Sequence, residues 1–253
     1  MPKRAILSAL FAILLSVGDA RPQDQLGIRM MQERIGDVRA GSYSAGDQLK
    51  FTLTHYLDRY LLRFLGEPEI FVLTADHASL GGRVLKYDSG ATALQVSGWS
   101  AITLYTDSQP SGVPAERTGD ATMPAVTLIS LPDIQRAAAD ESDHLIYARG
   151  VHIVFLAEWP LLAGDQAVRA FAYDAMQNVA RGIERFCRSA AARTALVARV
   201  DTVQLIASAR PLVTLRGRTL NVAYNPEQGF SGRASSRAIA RSLGQLLAVP
   251  MVN

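Results

Sequence analysis

The chain has 253 residues, with 26 Lys and Arg against 23 Asp and Glu, a formal net charge of +3, four His and one Cys. So even a charge balance argues against a nucleic-acid partner held by phosphate attraction, and a single thiol excludes an internal disulfide framework. The length is sufficient to bury a core without metals or cross-links.

Residues 1–20 read as a secretory signal peptide. Lys3 and Arg4 precede an apolar run from Ala5 to Val17, broken only by Ser8 and Ser16, and Gly18 and Ala20 supply the small residues of a cleavage site before Arg21. The run is shorter than the roughly twenty apolar residues that a membrane span needs, and no later stretch approaches that length. No Cys follows it to carry a lipid anchor. Removing Lys3, Arg4 and Asp19 leaves 24 basic and 22 acidic residues, a net of +2. The expectation is a periplasmic chain with no transmembrane segment. It is rich in Ala and Arg, and Lys3, Lys50 and Lys86 are its lysines.

The N-terminal segment, residues 21–47, carries Leu26, Ile28, Met30, Met31, Ile35 and Val38 among polar neighbours, a weak amphipathic-helix pattern, then a loop at "SYSAGD". From residue 48 the period changes to two. Leu49, Phe51, Leu53, His55 and Leu57 alternate with Lys50, Thr52, Thr54 and Tyr56, which places Phe51 inward and His55 at the core edge. Further runs at 60–65, 69–74, 83–87, 91–96 and 101–106 are divided by Gly66-Glu67-Pro68, Leu80-Gly81-Gly82, Asp88-Ser89-Gly90 and Ser97-Gly98. Strands this close together, joined by turn residues, predict an antiparallel β meander over residues 48–106.

Residues 107–130 form a Pro/Gly-rich connection. The remainder, 131–253, alternates helix and strand signals. A helix starts at Pro132 and runs to Asp140. Val151 to Trp159 reads as a strand buried on both faces. Asp165 caps a helix whose Val168, Phe171, Ala175, Val179, Ile183 and Cys187 recur every three or four residues. A helix is expected over 190–209, a hairpin at 212–215 and 220–224 around Arg216-Gly217-Arg218, and a final helix over 235–248. The fold class is α+β: an antiparallel meander in the N-terminal half, then a mixed helix and strand half packed with it as one domain.

The common catalytic signatures are missing. The chain has no G-x-S-x-G elbow, no H-E-x-x-H, no phosphate loop and no G-x-G-x-x-G. No catalytic, metal-ligating or cofactor-binding residue is therefore assigned. Cys187 lies on an apolar helix stripe and reads as a buried structural thiol. His55, His77, His144 and His152 read as structural or surface histidines; His152 and Glu158 share a strand face but sit roughly 20 Å apart. Asp88-Ser89-Gly90 reads as a tight turn rather than an exposed nucleophile.

One stretch stands out, "GFSGRASSRAIARSLG", residues 229–244. Ser235 or Ser236 can cap a helix, Arg233, Arg237 and Arg241 are spaced by four, and Ile239, Leu243, Leu246 and Leu247 form the opposite, buried face. Free N–H groups beside guanidinium forks suit a phosphate or carboxylate. The same residues also make an ordinary capped helix, with its arginines solvated or paired, and that reading is the simpler one.

Three segments, "GEPEIFVLTA", "GGRVLKYDSGATALQVSGWSAITLY" and "PEQGFSGRASSRAIARSLG", resemble a family of exported alphaproteobacterial proteins classed as a domain of unknown function. The resemblance spans about Gln48 to Gly244 and brings no catalytic residues with it. Two functions remain open. One is a non-enzymatic periplasmic protein that binds an envelope anion or another envelope protein; the other is a periplasmic hydrolase with an unfamiliar active site.

Overall fold

The structure, a computed structural model, describes residues 38–250; the expected signal peptide and most of the segment 21–47 lie outside them. The α+β order is observed: strands first, then helices with a second sheet.

The first eight strands are β1 (Gly41–Ala45), β2 (Leu49–Tyr56), β3 (Arg59–Phe64), β4 (Ile70–His77), β5 (Arg83–Tyr87), β6 (Thr92–Val96), β7 (Ile102–Leu104) and β8 (Val113–Gly119). Each pairs antiparallel with the next, and β1 pairs with β8, so the meander closes into a barrel. The expected runs lie within it, but the barrel reaches past both expected ends. In β1 the sequence offers only small residues around Tyr43, and in β8 Ala115 is the one buried residue. Neither strand alternates enough to be read as one; both are specified by their neighbours. The interior of an eight-stranded barrel is wide enough for its own side chains or for one small ligand. Tyr43, Phe51, Leu53, Leu62, Phe71, Leu73, Leu85, Leu94 and Leu104 fill this one. Phe51 points inward, as the alternation predicts, and stacks on Tyr43 at 5.1 Å. The inward register ends before His55 and Leu57, which are exposed at the turn into β3.

The second half contains α1 (Leu131–Arg149), β9 (Val154–Ala157), α2 (Trp159–Gly164), α3 (Gln166–Phe186), α4 (Ala190–Arg199), β10 (Thr202–Ala207), β11 (Leu212–Arg216), β12 (Thr219–Tyr224) and α5 (Ser236–Leu246). Its sheet has the order β11-β12-β10-β9, with β9, β10 and β12 parallel and β11 antiparallel. Asp165 and Ser235 cap their helices as the sequence suggests, and Ser130 and Ser189, which it does not single out, likewise accept a first-turn N–H. Three expectations change. Helix α1 continues to Gly150, whose φ of 64° ends it. Strand β9 is buried on one face only: Phe155 points to the core, whereas Val154 and Leu156 share the opposite face and are exposed. The expected helix 190–209 stops at Arg199, because Val203 and Leu205 alternate inward as β10.

Helix α3 ties this half together. It packs on α5, α1, β10 and β12, and Ala172, Val179 and Ile183 join Ile239 and Leu243 of α5 in the core. A smaller cluster joins the halves: Leu61, Ile70 and Val72 on the barrel wall meet Phe230 from the 3-10 turn Pro226–Gly232.

Candidate functional site

In an antiparallel barrel successive hairpins alternate between rims. The turns after β1, β3, β5 and β7 therefore share one rim, which carries Glu69, Asp88 and Asp107. All three carboxylates meet the start of α5. Ser235 is the N-cap: its Oγ accepts from Ala238 N at 3.2 Å. Its own N–H and Oγ–H donate to Asp88, at 2.7 and 2.5 Å. The N–H and Oγ–H of Ser236 both donate to Glu69, at 2.7 Å each. The helix N-terminus, the natural place for an anion, thus holds two carboxylates from the chain itself. Asp88 belongs to the expected tight turn, in which Gly90 has a φ of 83° and donates to Tyr87 O.

The three arginines spaced by four do not line one face. Arg233 precedes the helix in extended conformation, so helical spacing does not apply to it. Its side chain is 1% exposed, pairs with Asp174 through Nε, and donates to Ile70 O at 3.0 Å. Arg241 donates to Ser89 O. Arg237 alone turns to a cavity, lying over the Tyr87 ring at 4.3 Å and pairing with Asp107 at 2.7 Å.

That cavity, about 470 Å³, lies beside the capped helix start. Its lining includes apolar Leu49, Phe64, Leu65 and Phe71, and its charged groups are Arg185, Arg188, Arg237 and Asp107 with Lys50, Glu67 and Glu69. Asp107 is the hub. Arg185 bonds its Oδ2, Arg188 reaches the same oxygen at 3.4 Å, and Arg237 takes Oδ1. Burial pushes the Asp107 carboxyl up, but Arg237 and Arg185 outweigh it and leave it below the ordinary aspartate value. Burial also pulls the Arg185 guanidinium down, with Asp107 opposing. Glu69 goes the other way. It is 3% exposed, and burial raises its pKa despite the two bonds from Ser236. Burial pushes the Tyr87 hydroxyl up to about 12.

Polar atoms here remain unused. The Nε atoms of Arg185 and Arg237 and the Tyr87 hydroxyl are buried without a hydrogen-bond partner among the described residues. Such groups are costly to leave unpaired. The Ser235 and Ser236 hydroxyls are closed off, at 2% and 0% exposed. Among the described residues no group of three His, Cys, Asp or Glu could hold a metal ion, and no helix is long and apolar enough to cross a membrane. His144 bonds Glu184, His77 bonds Arg83, and His152 and Glu158 are both exposed.

Sequence reading reached Arg237, Ser235 and Ser236 but missed Glu69, Asp107, Arg185 and Arg188. No spacing joins those four. Asp107 starts the Pro/Gly-rich connection, and Arg185 and Arg188 end an amphipathic helix, where basic residues are expected for the dipole alone.

The chain belongs to the family described as Domain of unknown function (DUF4908), whose model matches residues 23–243. No curated protein and no solved structure matches it.

Proposed function

We propose that this chain is a non-enzymatic protein of the bacterial periplasm that binds an anionic envelope component, in the cavity between the barrel rim and helices α3 and α5. The basic start, apolar run and Gly18-x-Ala20 site support export, and so does the resemblance of three segments to exported alphaproteobacterial proteins. The observation that carries the binding reading is the arginine cluster. Lys50, Arg185, Arg188 and Arg237 line the cavity against Glu67, Glu69 and Asp107, four cations to three carboxylates, and two guanidinium Nε atoms have no partner among the described residues. A phosphate or carboxylate entering beside Asp107 would use Arg188, which is 59% exposed and only distantly paired.

A hydrolase is the second reading, because Glu69 and Asp107 line one cavity with pKa values displaced in opposite directions. Against it, both Glu69 oxygens are bonded to Ser236, and the carboxylate is almost fully covered. It is placed to cap a helix rather than to exchange protons with a substrate.

Calorimetric titration with glycerol 3-phosphate and with N-acetylmuramic acid tests the site with a small phosphate and a small carboxylate. One charge-assisted bond contributes about 1.5–3 kcal/mol, so Arg188→Ala is expected to weaken binding about tenfold or more without lowering the melting temperature. Added salt should weaken the wild type as well. Failure of both probes to bind, or equal binding by Arg188→Ala, refutes the site. Intact mass from a periplasmic extract tests the location: the expected chain starts at or near Arg21, and a full-length cytoplasmic chain overturns it.

A further inference from the structure

The cavity beside α5 limits the size and polarity of what it can hold. At about 470 Å³ it falls in the range that encloses a drug-sized molecule, so a bare inorganic anion would fill only a fraction of it. A ligand held by the arginines therefore has a body, and part of the lining it would meet is apolar. Leu49 and Phe64 pack against the barrel core, Phe71 belongs to that core, and Leu65 follows β3 at the turn.

Ring contacts connect this apolar lining to the cationic cluster. Phe64 meets Phe71 edge-on at 6.3 Å, and Phe71 meets Tyr87 edge-on at 5.1 Å. The Arg237 guanidinium lies over the Tyr87 ring at 4.3 Å and pairs with Asp107 at 2.7 Å. The lining thus passes from apolar side chains to guanidinium groups along one path. Leu65 is the side chain that the fold does not explain. Its N–H donates to Lys50 O at 2.8 Å, which fixes the backbone, yet the residue is 74% exposed. Gly66 beside it takes the positive φ of the turn, 84°, so the turn does not ask for a leucine either. An exposed leucine and the exposed Arg188 line the same cavity.

We infer that the ligand of this cavity is an amphiphilic anion, with a phosphate or carboxylate head at Arg188 and an aliphatic tail over Phe64 and Leu65; the inference rests on the anion-binding reading above. Charge selects the sign of the head. Lys50, Arg185, Arg188 and Arg237 meet three carboxylates, and one of these, Glu69, is already bonded to Ser236. The tail lies across the barrel mouth rather than inside it, because Tyr43, Phe51, Leu53 and Leu73 fill the interior. Each methylene taken out of water against Phe64 and Leu65 adds affinity without a further polar contact.

Calorimetric titration with butyl, hexyl and octyl phosphate and with octanoate, all below their micelle concentrations, tests the inference, with octyl glucoside as the uncharged control. Affinity should rise about two- to fourfold for each added methylene, and octyl glucoside should bind far more weakly than octyl phosphate. Leu65→Ser should weaken octyl phosphate about threefold or more, leave glycerol 3-phosphate unchanged, and leave the melting temperature unchanged because the side chain is mostly exposed. Arg188→Ala should weaken every member of the phosphate series by the same factor. Affinity that does not depend on chain length, octyl glucoside binding as well as octyl phosphate, or octyl phosphate binding undiminished in Leu65→Ser would each overturn the inference. If glycerol 3-phosphate binds through Arg188 while the phosphate series stays flat, the anion site stands and the amphiphile is refuted. If nothing binds, glycerol 3-phosphate and N-acetylmuramic acid included, both are refuted.

Discussion

Gly182 sets how closely α3 and α5 can approach, and Gly182→Ala tests that directly. A Cβ at residue 182 would lie 2.5 Å from both Cβ and Cγ2 of Ile239 and 3.0 Å from the Ser236 carbonyl oxygen. Ordinary contact needs about 1 Å more. Two effects compete. Alanine in place of a helical glycine gains about 1 kcal/mol of helix propensity, whereas overpacking a tight core costs about 1–3 kcal/mol. The opposing atoms are a β-branched Cβ and a helix carbonyl, which move only if the α5 backbone moves. That backbone is pinned at its start by Glu69 and Asp88, so overpacking should win by about 1–2 kcal/mol. For a chain of this size the melting temperature should fall by about 2–8 °C, measured by circular dichroism with urea titration as a check. The displaced helix should also weaken the Arg237–Asp107 pairing and with it the proposed anion affinity. In an Ile239→Ala background the cost of the same glycine change should shrink without vanishing, since Cγ2 is gone but the Cβ of residue 239 and the Ser236 carbonyl oxygen remain. A Gly182→Ala protein as stable as the wild type would refute the close approach.

Two further outcomes follow from burial. Cys187 is 4% exposed, and burial pushes its thiol up to about 11 against the pull of Arg149 and Arg193; it should resist a disulfide reagent in the native state and react fully once unfolded, and rapid native labelling at neutral pH would contradict this. Glu69, raised by burial, holds its proton more tightly folded than unfolded, so its contribution to stability should fall as pH rises from the ordinary glutamate range through the raised value. Glu69→Gln keeps an acceptor for Ser236 and should lose that slope; superimposable melting-temperature profiles for the two proteins would contradict the assignment.

What the sequence reveals and what it hides follow from the range of the interactions. Alternation around Phe51 and the turns at Gly66, Asp88-Ser89-Gly90 and Gly98 are local, so the barrel strands between them are legible. Closure is not, because β1 and β8 pair residues such as Ser44 and Glu116 across most of the barrel sequence, and neither strand has an apolar pattern of its own. The helix starts at Asp165 and Ser235 are legible for the same local reason, since each side chain bonds N–H groups two or three residues on. The error at β10 is also local. Leu196, Val200 and Val203 fit a helical stripe, but Val203 and Leu205 fit a strand equally well, and only pairing with β9 and β12 decides between them.

The stretch 229–244 shows where local reading reaches its limit. A serine pair with free N–H groups behind it announces demand for negative charge, and that demand is real. The sequence cannot say whether a ligand or the chain supplies the charge. Here Asp88 and Glu69 supply it from turns on the barrel rim, so the anion-seeking end of α5 is spent on fastening the two halves together. The unsatisfied demand moves one layer outward. Asp107 answers three arginines with one carboxylate, and a single carboxylate cannot saturate three guanidinium forks, each with several donors. The capped helix and the proposed anion site are therefore adjacent layers of one electrostatic arrangement. Ser235 and Ser236 serve the inner layer, which holds the fold, and Arg237, joined by Arg185 and Arg188 near the end of α3, faces the outer layer, where the proposed anion would bind.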